Sequence, residues 1–165
     1  MKRILFLMII SFSFAFAWDI AKVVSVTDGD TLWLKKDNQK AFKVRLIAVD
    51  TFETKVNHRA FIQLETIKNI NRHNKGNIKQ VLKYGYKAKE WVEKRFLSKE
   101  VKYITFGKDR YGRVLVWIVG LNYGLVRRGL AIYYPNNLLS KKIKSFLLKA
   151  SRDANLEKRG FYELR

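Results

Sequence analysis

AKVVSVTDGDTLWLK (residues 21–35), continued by KAFKVRLIAVDTFET (residues 40–54), decides the fold. Two β-favouring runs, Ala21 to Thr27 and Thr31 to Lys35, flank Asp28-Gly29-Asp30. An Asp-Gly turn between such runs predicts a hairpin. Lys40 to Val49 then alternates, with Phe42, Val44, Leu46 and Ala48 on one face and Lys43, Arg45, Ile47 and Val49 on the other. This predicts a third strand with Arg45 turned away from the main apolar row. Further along, Glu100 to Phe106 and Arg113 to Val119 are two more β runs, joined by a loop with a glycine at each end, Gly107 and Gly112. They read as a second hairpin. Ala88, Trp91, Val92 and Phe96 recur at helical spacing and predict an amphipathic helix over Tyr86 to Leu97. A helical turn around Tyr123 to Arg128 stops at Gly129, and a last helix carries Ile143, Phe146, Leu147, Ala150 and Ala154 on one stripe. The stretch from Glu53 to Lys83 is polar and rich in Asn and Lys; it predicts an exposed excursion with a helix over Arg59 to Ile70 and a break at Asn74 to Asn77. Five short antiparallel strands and about three helices gathered to one side predict an α+β fold built on a five-stranded oligonucleotide-binding (OB-fold) barrel.

Composition bounds the function. The chain of 165 residues is 48% hydrophobic and 14% aromatic, with one Pro, which suits a packed domain and not a disordered or fibrous chain. Absence of Cys excludes disulfide frameworks, thiolate metal sites and cysteine nucleophiles. The 34 Lys and Arg against 14 Asp and Glu give a net charge of +20, a field that attracts polyanions such as nucleic acids or anionic envelope polymers. Residues 1–17 open with Lys2 and Arg3, run apolar from Ile4 to Phe16 and end Ala15-Phe16-Ala17. They read as a signal peptide, too short to span a membrane comfortably, leaving residues 18–165 as a single exported domain, secreted or periplasmic, without a stable membrane anchor.

Few acids are present, so their clustering is informative. Asp28, Asp30, Asp50 and Glu53 sit in two short loops that each follow a strand. Carboxylates held together against their repulsion usually share a cation or a proton. Each pair alone also fits plain turn or helix-cap chemistry. Taken with Arg45 and Arg113 they form a constellation. Three strings carry a resemblance: Asp28-Gly29-Asp30-Thr31, Arg45 through Thr54, and Asp109-Arg110-Tyr111-Gly112-Arg113. They are similar to the signature blocks of the staphylococcal nuclease (thermonuclease) family. Weaker echoes follow in the same order at Lys83-Tyr84-Gly85, Leu125 to Ala131 and Pro135-Asn136-Asn137, so the likeness runs from about Val23 to Tyr162.

The resemblance implies an OB barrel with three helices that hydrolyses DNA and RNA with Ca²⁺ and leaves 3′-phosphate ends. Asp30 and Asp50 would be metal carboxylates, the Thr51 carbonyl a further ligand, and Arg45, Glu53 and Arg113 the catalytic residues. Two departures stand out: Phe52 where the family usually has Pro, which bears on loop stiffness, and a segment from Lys55 to Lys83 longer than the prototype's loop.

The residue types also make sense chemically. A hard cation held by two carboxylates and a carbonyl keeps places open for water and a phosphate oxygen. Guanidinium groups suit the charge that develops on a phosphodiester under attack, and a carboxylate such as Glu53 suits orienting the attacking water or deprotonating it as general base. Tyr111, Tyr133 and Tyr134 are the expected base-stacking residues. His58 and His73 fall outside every block and read as surface residues, and no Gly-rich phosphate loop, nucleophile elbow or paired-His zinc motif occurs. The expected partners are DNA and RNA, single strands favoured, met by a monomer; the alternative is an OB-fold binding protein that has lost catalysis.

Overall fold

The computed structural model describes residues 18–70 and 76–164. The predicted signal peptide, the Asn74-Lys75 part of the predicted break and His73 lie outside them. Among the described residues seven strands form: β1 (Asp19–Asp28), β2 (Thr31–Lys35), β3 (Phe42–Leu46), β4 (Val49–Thr51), β5 (Glu100–Lys108), β6 (Val114–Ile118) and β7 (Ala131–Tyr133). Four helices accompany them: α1 (His58–Ile70), α2 (Ile78–Phe96), α3 (Leu121–Arg127) and α4 (Lys141–Leu156), with a 3-10 turn at Gly160–Glu163. No helix among the described residues is long and apolar enough to cross a membrane.

The five longer strands close into a barrel in the order β1-β2-β3-β6-β5, with β5 pairing back onto β1. The α+β barrel expected from the sequence is therefore present, with one more helix. One pairing differs from the all-antiparallel expectation: β3 and β6 run parallel. A parallel pair requires a crossover, and here α1, α2 and β5 all lie between the two strands. In β1 the alternation of buried and exposed residues slips at Val24 and Ser25, both exposed, where the register against β2 shifts through a bulge.

The third strand is shorter than its pattern predicts. It stops at Leu46, and Ile47-Ala48 turn a corner, with Ala48 in the left-handed region at φ 61°. Buried Asn122 pins that corner by donating to the Ile47 carbonyl at 2.9 Å while accepting from the Ile118 N–H. Ile47 and Val49 consequently face the core and not solvent. The chain leaves the corner as β4, which pairs with β7 in a small separate sheet.

Helix α2 begins eight residues before its predicted start, because Asn77 and Gln80 form a reciprocal capping box. Two apolar cores result. One fills the barrel and the space beneath α3 and α4; the other gathers Phe52, Ala60, Ile67, Val81, Tyr84, Ala154, Phe161 and Tyr162. Helix α2 lies against the loops between them through two glycines. A Cβ on Gly29 would meet Ala88 and Thr51 side chains at 2.8 Å, and one on Gly85 would lie 2.2 Å from the Glu53 carbonyl oxygen.

Candidate active site

Strand register assembles the charged residues. Arg45 pairs with Thr31 on one side, one residue beyond Asp30, and with Leu115 on the other, two residues beyond Arg113. After the Ile47-Ala48 corner the chain doubles back, bringing Asp50 to the same guanidinium. Arg45 donates through Nη1 to Asp30 Oδ1, through Nη2 to Asp50 Oδ1 at 2.7 Å and, more weakly, to the Val49 carbonyl at 3.4 Å. Asp30 is buried, and its second oxygen accepts the Thr51 backbone N–H at 2.7 Å. Burial pushes its carboxyl above the ordinary value and Asp50 adds to the rise, while the Arg45 charge and the Thr51 N–H oppose it. Such a carboxylate is stabilised by positive charge beside it.

Arg113 sits where the second hairpin returns. Asp109 accepts from Arg113 Nε at 2.6 Å and from the backbone N–H groups of Tyr111 and Arg113. Partial burial alone would raise the Asp109 carboxyl; the Arg113 hydrogen bonds outweigh it, and the group lies below its ordinary value. Tyr111 is 68% exposed, with the Arg113 guanidinium 5.4 Å from its ring centre and Arg110 at 4.8 Å.

Two clefts meet at these residues. The smaller, about 470 Å³, is lined by Asp28, Asp30, Thr51, Glu53, Arg45 and Arg113 among others. The larger, about 770 Å³, shares Arg45, Arg59, Tyr111 and Arg113 with it and continues over Ile47, Leu115 and Ile132 to Tyr134. A charged cleft adjoining a longer, partly apolar one suits a phosphate with a nucleoside beside it. Family comparison agrees. The model described as "Staphylococcal nuclease homologue" matches residues 43–163. The chain belongs to the staphylococcal nuclease family.

Two relatives of the nuclease-family chain are informative. It is 31% identical over 140 residues to the thermonuclease of Staphylococcus hyicus, a match covering 79% of this chain and 70% of that protein. It is 30% identical over 154 residues to an uncharacterized protein of Methanocaldococcus jannaschii, covering 86% of this chain and 70% of that one.

Among the described residues, no three acidic or histidine side chains converge as a ready-made cation cage. Asp30 and Asp50 instead meet on the Arg45 guanidinium, which stands as a positive charge between two hard oxygen donors. That donor chemistry fits Ca²⁺ or another hard divalent ion, with the Thr51 carbonyl close by. Of the expected stacking residues, Tyr111 and Tyr134 are exposed and line the larger cleft. Tyr133 lines neither cleft; it is half-buried and packs on the barrel core, and burial raises its hydroxyl pKa. On β7, Ile132 lines the larger cleft and its neighbour Tyr133 faces the other way, while Tyr134, just past the strand, lines the cleft again.

The sequence reading missed two residues of α1. Arg59 donates to Asp50 at 2.5 Å and pairs with Glu53 at 3.3 Å, and Gln63 bonds the loop from Asp50 to Glu53. Only their i, i+4 spacing, which puts both on one helix face, hints at this. Phe52 is 1% exposed and packs edge-on against Phe161 at 5.0 Å, so its loop is held by burial in the second core, without a proline ring.

Proposed function

We propose that this chain is an exported, Ca²⁺-dependent endonuclease that hydrolyses phosphodiester bonds of DNA and RNA and leaves 3′-phosphate ends. The observation that carries the reading is the convergence of Asp30, Thr51, Glu53, Arg45 and Arg113 on one cleft, with Asp50 joined to it through Arg45. A divalent cation bound by Asp30, Asp50 and the Thr51 carbonyl would supply positive charge to a phosphate oxygen and open positions for water. Arg45 and Arg113 bind the remaining phosphate oxygens, where their paired N–H groups match the charge that grows as the bond to phosphorus forms. For Arg45 this means exchanging its two aspartates for the phosphate.

Glu53 takes the proton of the attacking water. Its carboxylate is oriented from both sides, since Oε2 accepts from Asn57 Nδ2 at 2.9 Å and Oε1 faces Arg59 Nε. The bond from phosphorus to the 5′ oxygen then breaks, that oxygen takes up a proton from solvent to leave as a hydroxyl, and the phosphate stays on the 3′ side. Tyr111 and Tyr134 offer exposed ring faces to an unpaired base, which supports single strands as substrate. Export after removal of residues 1–17 is supported by the charged, apolar and small-residue order of that segment.

Incubating the mature chain with single-stranded DNA tests the reading. Cleavage is expected in millimolar Ca²⁺ and should disappear in chelator, and Glu53→Ala should lower kcat by roughly 10²–10⁴-fold. Cleavage that survives chelator, or that is indifferent to Glu53→Ala, would reject it.

A further inference from the structure

Helix α1 buries one stripe, Ala60, Gln63 and Ile67. The outer two sit fully buried in the second core, and between them stands an amide that is 3% exposed. A helix packed for stability alone would place an aliphatic side chain there, because a buried amide is costly unless its polar atoms find partners. Gln63 does find them, and all three lie within the four residues Asp50 to Glu53, where β4 runs into its following loop. Its Nε2 donates to the Thr51 carbonyl at 2.9 Å and to Asp50 Oδ2 at 3.3 Å, while its Oε1 accepts the Glu53 backbone N–H at 2.8 Å.

We propose that Gln63 is the positioning residue of the catalytic loop, a single amide that fixes the Asp50 carboxylate, the Thr51 carbonyl and the Glu53 backbone relative to one another. It rests on the nuclease reading above. The first two groups are two of the three oxygen donors assigned there to a cation, and the third carries the general base. A partner that orients ligands from behind commonly governs metal affinity and rate by 10–100-fold without touching substrate. The Thr51 carbonyl has two lone pairs, so it can accept from Gln63 and still offer a donor to an ion.

Gln63→Met keeps the length of the side chain and removes all three bonds; Gln63→Asn keeps the amide and withdraws it by one methylene. For both variants, Ca²⁺ affinity measured by calorimetry without nucleic acid is expected to fall about tenfold. Single-strand kcat should fall roughly 10–100-fold with KM within about twofold. Exchange of the Glu53 amide proton, slow in the wild type, should quicken. A merely structural side chain would lower the melting temperature and leave Ca²⁺ affinity and kcat of the folded protein alone; that result overturns the proposal. Should Gln63→Met fail to fold, Gln63→Asn and the wild-type Glu53 amide still decide, because rapid wild-type exchange there means the clamp is absent. A wild type that neither binds Ca²⁺ nor cleaves rejects the nuclease reading instead, while Glu53 amide protection still reports on the clamp.

Discussion

The barrel core and the second core fix different parts of the site. The barrel sets Asp30, Arg45 and Arg113 through strand register alone, since Thr31, Arg45 and Leu115 are hydrogen-bonded neighbours across β2, β3 and β6. The second core sets the loop that leaves β4: Phe52 is plugged among Tyr84 and Phe161, Gly85 backs directly onto the Glu53 carbonyl, and α1 reaches over with Arg59 and Gln63. Asp30, Arg45 and Arg113 thus depend on the closed sheet, and Glu53 depends on a loop held by packed helices. Damage to one region should therefore differ in kind from damage to the other.

The largest contrast is expected between Phe52→Ala and Leu32→Ala. Each removes a fully buried side chain and should cost about 3–5 and 2–5 kcal/mol of stability respectively. Among molecules that remain folded, only Phe52→Ala should also lose turnover, because it unseats the loop carrying Glu53. Urea unfolding paired with kcat measured well below the transition separates the two; equal turnover per folded molecule would erase the distinction.

A narrower effect is expected on the barrel side. Arg113→Lys keeps the charge and loses the planar fork, so turnover should drop by roughly 10²-fold or more while the melting temperature stays close to that of the wild type. Near-normal turnover would take Arg113 out of the transition state.

The smallest effect concerns the far end of the second core, where the Tyr84 hydroxyl donates to Glu163. The Glu163 carboxyl lies below its ordinary value, first because of that bond and further through the Lys87 and Lys83 charges, while Tyr84 is raised by burial and by Glu163. A lowered carboxylate pKa contributes stability that is complete above the unfolded value near 4.5 and fades as pH falls through the folded value. The raised Tyr84 contributes below its unfolded value near 10 and is lost at higher pH. Tyr84→Phe should therefore cost about 0.5–1 kcal/mol between those limits, toward the low end because Glu163 is half exposed to screening solvent, and less in acid. A wild-type minus variant difference that does not shrink below pH 4 would assign the bond no role.

The same division governs what could be read in advance. The barrel strands announce themselves by alternation, and the acids and arginines by their spacing around Asp-Gly and Tyr-Gly turns, so Asp30, Arg45, Asp50 and Arg113 were legible as a group. What escaped is non-local or disguised by polarity. The parallel β3–β6 pairing leaves no periodic trace, and strands of three residues such as β4 and β7 are too short to show one. Lys79, Gln80 and Lys83 hide the buried Val81 and Tyr84 in the first turns of α2. Gln63 and Arg59 belong to a stretch whose polarity reads as solvated, and that polarity is spent on the loop opposite. Tyr133 shows the converse error, an aromatic residue near the cleft in sequence that its strand turns away from it.

The parallel seam between β3 and β6 orders events during folding. The three-strand meander that unites Asp30 with Arg45 is built from consecutive residues and can form locally, whereas Arg113 reaches its partners only when residues near 44 and 114 zip together. A growing chain that has produced only its amino-terminal third therefore holds an acidic turn closed by its own arginine. Arg113 joins that turn only with the strand that shuts the barrel.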